Sequence, residues 1–264
     1  MRLSRKLLLP LPVILGAVCA CSVKEDRTDC PCFLEIRLSG GEEDRSILSF
    51  RGERESFTDT LQSVGGSTTF DYSVRKGFPE LSVWSGQKGC VRTGNVLEIP
   101  LGREMDAVYA WSGKIDATGE NAVCDAILHR QFAYVHLTVA FQDGESSPYL
   151  LRIRGPVAGV DLRTLKPVDG DFSVSFMPVI GTYHRICVPR QKDDSLLLEF
   201  LDREGTRSAG PLGAFNLGEE IGRAGYDWTA ADLEDIYVDV DYVSAGIEVS
   251  VSLWDEGDDY NITI

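Results

Sequence analysis

The sequence predicts a mostly β protein, two antiparallel sandwiches in tandem behind an export segment. Three observations carry that expectation. Short runs alternate apolar and polar residues with period two, as half-buried strands do. Glycine-bearing breaks separate them: Gly40-Gly41, Gly65-Gly66, Gly86 to Gly89 and Ser112-Gly113. No stretch has the length and spacing of an amphipathic helix.

In chain order, strands are expected at 33–38, 68–74, 81–84, 96–100 and 107–111, with Pro100 closing the fourth. The longest run is 131–141, where Gln131, Ala133, Val135, Leu137 and Val139 share one face. Phe132, Tyr134, His136 and Thr138 share the other. Both faces are largely apolar, which marks a central strand. Asp143-Gly144 reads as a turn and sets the boundary between sandwiches 33–143 and 144–264; a cut before His129 is equally fair. The second half repeats the style at 149–154, 171–176, 183–188 and 196–201. Residues 218–224 can form one or two helical turns, weakened by their glycines. Runs 235–242 and 246–254, joined by a short loop, read as an antiparallel hairpin. Ile236, Val238, Val240 and Tyr242 should face inward on the first strand; Asp235, Asp239 and Asp241 should face water. On the second, Ile247, Val249, Val251 and Leu253 face in and Glu248 faces out.

The front of the chain is of another kind. Arg2, Arg5 and Lys6 precede an apolar run from Leu7 to Val18 that Pro10 and Pro12 interrupt. A basic end, a short apolar segment and small residues make a secretory signal, too short to span a bilayer comfortably. Val18-Cys19-Ala20-Cys21 resembles a bacterial lipobox. By that resemblance residues 1–20 are removed, and Cys21 becomes the lipid-bearing first residue of a tether at 21–32. Cys19 fits less well, since Val18 would precede it. Ser22-Val23-Lys24-Glu25-Asp26 resembles the export signal of surface lipoproteins in Bacteroidetes, which implies an outer-membrane, surface-exposed location.

Charge narrows the partners. The formal charge is −15, and removing residues 1–20 with their three basic residues takes it to −18. So acidic a chain is no partner for nucleic acid, and as a whole it is repelled by anionic lipid headgroups. Five cysteines follow the anchor: Cys30, Cys32, Cys90, Cys124 and Cys187. They read mostly as buried or incidental thiols, with one disulfide possible.

Chemistry is sparse. His129 and His136 fall seven apart on an expected strand and His184 on another, so they read as structural. Hydrolase, phosphate-loop and dinucleotide motifs are absent, and the chain reads as a non-enzyme without cofactor. Asp239, Asp241 and Glu248 read as a solvated sheet face. Asp255, Asp258 and Asp259 offer oxygen ligands for Ca²⁺ but lack the alternating spacing of a calcium loop, so an acidic turn is favoured over a metal site. Trp84, Trp111, Trp228 and Trp254 could stack on sugars, though Trp84 and Trp111 end apolar strands and fit a core better.

Several pieces in combination resemble the FimB-type anchor-subunit family of the Bacteroidetes fimbrillin superfamily. They are Cys21 with Asp29-Cys30-Pro31, Asp106-Ala-Val-Tyr-Ala-Trp111 and Gly155-Pro-Val-Ala-Gly-Val-Asp-Leu162. Tyr226-Asp-Trp-Thr-Ala-Ala-Asp-Leu-Glu-Asp-Ile-Tyr-Val-Asp-Val-Asp-Tyr242 and Ile247-Glu-Val-Ser-Val-Ser-Leu-Trp254 complete the set. The resemblance implies two transthyretin-like sandwiches, lipidated in the outer membrane at the base of a fimbrium (pilus), that limit its length and bind stalk subunits by strand addition. In such families an exposed arginine of a stalk precursor is trimmed. Arg51 and Arg54 are available here in an expected charged loop, but cutting there would sever lipid from fold, so the anchor should keep its N-terminal segment. In the tail, Tyr260, Ile262 and Ile264 alternate with polar residues. They could complete their own sandwich or contact a neighbouring subunit. The alternative reading is a surface glycan-binding lipoprotein.

Overall fold

A computed structural model describes residues 30–63, 67–140, 149–179, 183–206, 213–241 and 246–252. The first sandwich begins with β1 (Cys32–Gly40), where Cys32, Leu34, Ile36 and Leu38 are buried in strict alternation. Next come β2 (Arg45–Arg51), β3 (Ser56–Gln62), β4 (Ser67–Val74) and β5 (Glu80–Ser85). A small hairpin, β6 (Val91–Thr93) and β7 (Val96–Glu98), precedes β8 (Tyr109–Lys114) and β9 (Asn121–Arg130). β1 lies between β4, antiparallel, and β9, parallel. β3, β2, β5 and β8 form the facing layer. At its end Tyr109 and Ala110 of β8 pair with Arg130 and His129, so one seven-stranded path wraps the core. Leu34, Ile36, Phe50, Leu81, Val83 and Leu128 fill it. Phe50 stacks on Phe57 with ring centroids 4.8 Å apart. Each such large side chain contributes roughly 1.5–3 kcal/mol of burial.

The second sandwich uses β10 (Phe132–Ala140), β11 (Leu150–Asp161), β12 (Lys166–Phe176), β13 (Tyr183–Pro189), β14 (Leu197–Leu201) and β15 (Ala214–Phe215). A single helix, α1 (Leu217–Arg223), and the hairpin β16 (Asp235–Asp241) and β17 (Gly246–Ser252) complete the described elements. One sheet runs β13-β10-β16-β17, and β10 is central as its two apolar faces require. The other runs β15-β14-β11-β7-β6, with β12 along the free side of β11. The register of β11 against β12 shifts around Val157, next to Pro156, which has no N–H to give the ladder.

Pairing rather than chain order decides which strands belong together. β10 and the β6–β7 hairpin both lie in sheets built with strands from 144–264. β7 crosses onto β11 so closely that a Cβ at Gly159 would come within 2.1 Å of the Leu97 carbonyl oxygen. Trp84, Leu97, Ile99, Met105 and Val108 therefore share one core with Val135, Leu151, Phe172, Phe200 and Ile236. Asp106 pins the loop beneath, accepting from the backbone N–H groups of Lys88, Gly89 and Cys90 at 2.7–2.8 Å.

α1 forms where glycine-weakened turns were expected. Asn216 accepts from Glu219 N at its start, Leu217 and Ile221 are buried, and Gly218 sits where a Cβ would strike the Asp194 backbone. Among the described residues no helix is long and apolar enough to cross a membrane.

All five cysteines from Cys30 onward are free: Cys30 is exposed, and Cys32, Cys90, Cys124 and Cys187 are buried. Burial pushes the thiol of Cys90 up to about 12 and that of Cys124 up to about 11. At pH 8 a thiol near 11 is only ~0.1% thiolate. Iodoacetamide should therefore label Cys30 and spare those four in the native chain, as peptide mapping would read, and reach all five after denaturation. The unfolded chain ionises these thiols from their ordinary value of 9.0, below the folded values. Stability from this source is whole below pH 9 and falls as pH rises toward 11 to 12, so the melting temperature should drop across that window.

Candidate functional site

Among the described residues, the second sandwich ends one sheet on a strand with no outer partner. β17 pairs with β16 from Asp235↔Ser252 to Asp241↔Gly246 and ends the four-stranded sheet. Its far side has no strand partner among the described residues, and a row of unpaired N–H and C=O groups is a template for an added strand. β13 ends the same sheet on its other side. What distinguishes β17 is that the chain runs from it directly into the tail. β16 buries Ile236, Val238 and Val240 and turns Tyr237 and Asp239 outward, as its alternation requires. Tyr237 is 39% exposed and stacks on His136, with centroids 4.6 Å apart and planes 9° from parallel.

Behind that edge lies a charged network where the two sandwiches meet. The first residue of β16, Asp235, accepts from Arg130 and sits 2.8 Å from His136 Nε2. The Arg130 guanidinium covers the rings of Phe132, at 4.4 Å, and Tyr134, at 5.2 Å. Arg185 lies over Tyr134 from the neighbouring strand at 4.3 Å. One residue back, Arg130 N donates to Asp232 Oδ1 at 2.6 Å, and His129 Nδ1 lies 2.9 Å from the other oxygen. Arg190 closes the set by donating to the carbonyls of Trp228, at 2.6 Å, and Ala230, at 2.7 Å. Burial lowers the pKa of Arg190 and raises that of Tyr226, whose hydroxyl donates to Glu234 O at 2.9 Å. Side chains from β9, β10 and β16, with Arg190 just after β13, are thus locked across the junction by charge-assisted bonds.

No family model matches the sequence, and no curated protein matches it. Solved structures match its fold. The fimbrial anchor protein Mfa2 of Porphyromonas gingivalis is 13% identical, with 85% of this chain and 98% of that chain covered at a TM-score of 0.56. A candidate polysaccharide-binding protein of Bacteroides thetaiotaomicron is also 13% identical, over 89% and 99%, at 0.61. A candidate adhesin of Bacteroides ovatus is 12% identical, over 91% and 97%, at 0.57. This chain shares its fold with the fimbrial anchor Mfa2.

Within this fold the expected site residues fall unevenly. Cys21, the tail residues Tyr260, Ile262 and Ile264, and the acidic turn Asp255, Asp258 and Asp259 lie outside the described residues, as does Trp254. Among the described residues no cluster of His, Cys, Asp and Glu could hold a metal ion. His129 and His136 lie on two strands, not one, because the chain passes from β9 to β10 at Gln131. Each meets its own aspartate, as structural histidines do. Asp235 corrects the expected solvated face: it is half-buried and engaged, while Asp239 is exposed. Arg51 ends β2 instead of lying in a loop, and its guanidinium reaches Asn95 Oδ1 at 3.4 Å; Arg54 sits in the tight β2–β3 turn. Trp84 and Trp228 are buried and Trp111 is half-buried, packed on the first core. The Arg130–Asp235 pair has no signature in a sequence, since its members stand 105 residues apart.

Proposed function

We propose that this chain is a structural subunit of a fimbrium on the bacterial surface, belonging to the fimbrillin superfamily and acting as its membrane anchor. Lipid on Cys21 holds it in the outer membrane, and a stalk subunit adds a strand at the β17 edge, with Tyr260, Ile262 and Ile264 as the contact. Holding the base in this way limits fimbrial length. The observation that supports the reading is that β17 ends its sheet without an outer strand partner among the described residues, in a fold shared with the fimbrial anchor Mfa2. Catalysis has no part in it.

Deleting the chain in its host should give long fimbriae shed into the medium, counted by electron microscopy. Restoring it without residues 260–264 should restore the folded protein and not the attachment. Attached fimbriae of ordinary length in the deletion strain would refute the anchor role, and full rescue by the truncated chain would refute the tail contact. A surface glycan-binding role draws on the likeness to a candidate polysaccharide-binding protein. It loses its main support in the packing of Trp84, Trp111 and Trp228, which leaves none of them as an exposed sugar platform.

A further inference from the structure

The end of the first sandwich where β1 begins carries a feature that the sheet edge does not use. Cys30, the β2–β3 turn at 52–55, the β4–β5 loop at 75–79 and Thr118 line a cavity of about 710 Å³ there. The 75–79 loop reads Arg-Lys-Gly-Phe-Pro and is fixed at its base. Gly77 and Ala117 exchange backbone hydrogen bonds of 3.3 and 2.9 Å, Ile115 N donates to Pro79 O at 3.0 Å, and Arg75 N donates to Glu55 Oε1 at 2.5 Å. On this rigid base Phe78 projects with 67% of its surface exposed. Folding gives no reason for a large apolar ring at that tip.

The charge there also departs from the rest of the chain. Arg54, Arg75 and Lys76 outnumber Glu53 and Glu55 in the cavity lining, whereas the whole chain carries −15. An aromatic ring beside cations is the composition that settles into a lipid headgroup layer, ring toward the acyl boundary and cations on the phosphates. Distance agrees. Nine residues lead from Cys21 to Cys30, and fully extended they span at most about 32 Å.

We propose that this pole is a membrane-docking face whose occupant is the phosphate headgroups of the bilayer holding Cys21, contacted by Phe78, Arg54, Arg75 and Lys76. The inference rests on the lipid-anchor reading and deepens it. The tether then does more than leash the protein: docking holds the first sandwich against the membrane by this end.

The test uses the mature chain with Cys21→Ser, which cannot be acylated, sedimented with vesicles of phosphatidylcholine alone or with added phosphatidylglycerol. Binding should be stronger with the anionic lipid and weaken with salt. Arg75→Glu with Lys76→Glu should reduce it about tenfold or more, and Phe78→Ser should reduce it several-fold; Arg75 and Phe78 are exposed and Lys76 half-buried, and circular dichroism verifies that each variant is folded. Equal binding by the variants, or no binding by the parent chain, overturns the proposal. So does displacement by millimolar inorganic phosphate at constant ionic strength, which would mark a soluble-anion site. Acylation is read separately from the mass of the native amino terminus. An unmodified Cys21 with intact, loop-dependent vesicle binding would refute the lipid anchor and leave the docking face standing.

Discussion

Asp235→Ala is expected to lower stability by about 3–5 kcal/mol, read from urea midpoints at unchanged slope. The side chain of Arg130 is 11% exposed and that of His136 12% exposed, and both lose their carboxylate partner. A buried guanidinium left without a counter-ion bears the desolvation cost that the pair had offset. Asp235→Asn keeps an acceptor and should cost about half as much. Replacing both partners, as in Arg130→Met with Asp235→Leu, should recover most of the loss, because an apolar pair leaves no orphaned charge. Lys192–Asp169 serves as the comparison: Asp169 is 88% exposed, and Asp169→Ala should cost under ~1 kcal/mol. A loss that small at Asp235 would show that the junction is held by apolar packing instead. Because Asp235 begins β16, the variant should also loosen the sheet edge beside it.

The second large effect is on location. A chain exported on an ordinary cleaved signal and carrying Cys21→Ser should leave the membrane fraction entirely after a high-salt wash. Each buried methylene contributes roughly 0.8 kcal/mol, so one acyl chain tethers only marginally and two or more hold firmly. Removing them takes away a term that headgroup contacts of a few exposed residues cannot replace. Immunoblots of washed membranes and medium would read the result. Retention of the variant at the level of the native protein would refute lipid anchoring.

Much of the fold was legible because its signals are local. The alternation in β1, β10 and β16, the short connection to β17 and the helical turns of α1 are written in neighbouring residues. β3 is faint in the sequence because among its residues only Leu61 is fully buried, and β9 because two of its three buried residues, Cys124 and Ala126 beside Leu128, are small. β11 is longer than expected: Gly155, Pro156 and Gly159 punctuate it like a turn, yet the strand continues past an irregular register. The site was less legible for a different reason. Arg130 with Asp235, and the hairpin laid onto β11, join parts of the chain that only folding brings together. Each residue alone reads as an ordinary surface charge or a short strand.

That hairpin has a mechanical consequence. In the proposed anchor role, a filament tugged by flowing medium would put this chain under tension. Were the sandwiches joined by one peptide at Gln131, the tension would pass through a single swivel. Because β7 is laddered to β11 and Leu97 and Trp84 are seated in the second core, force divides over two routes, and neither half can be peeled away without tearing the other. Under a steady pull the pair should yield in one step, as a single spring rather than two in series.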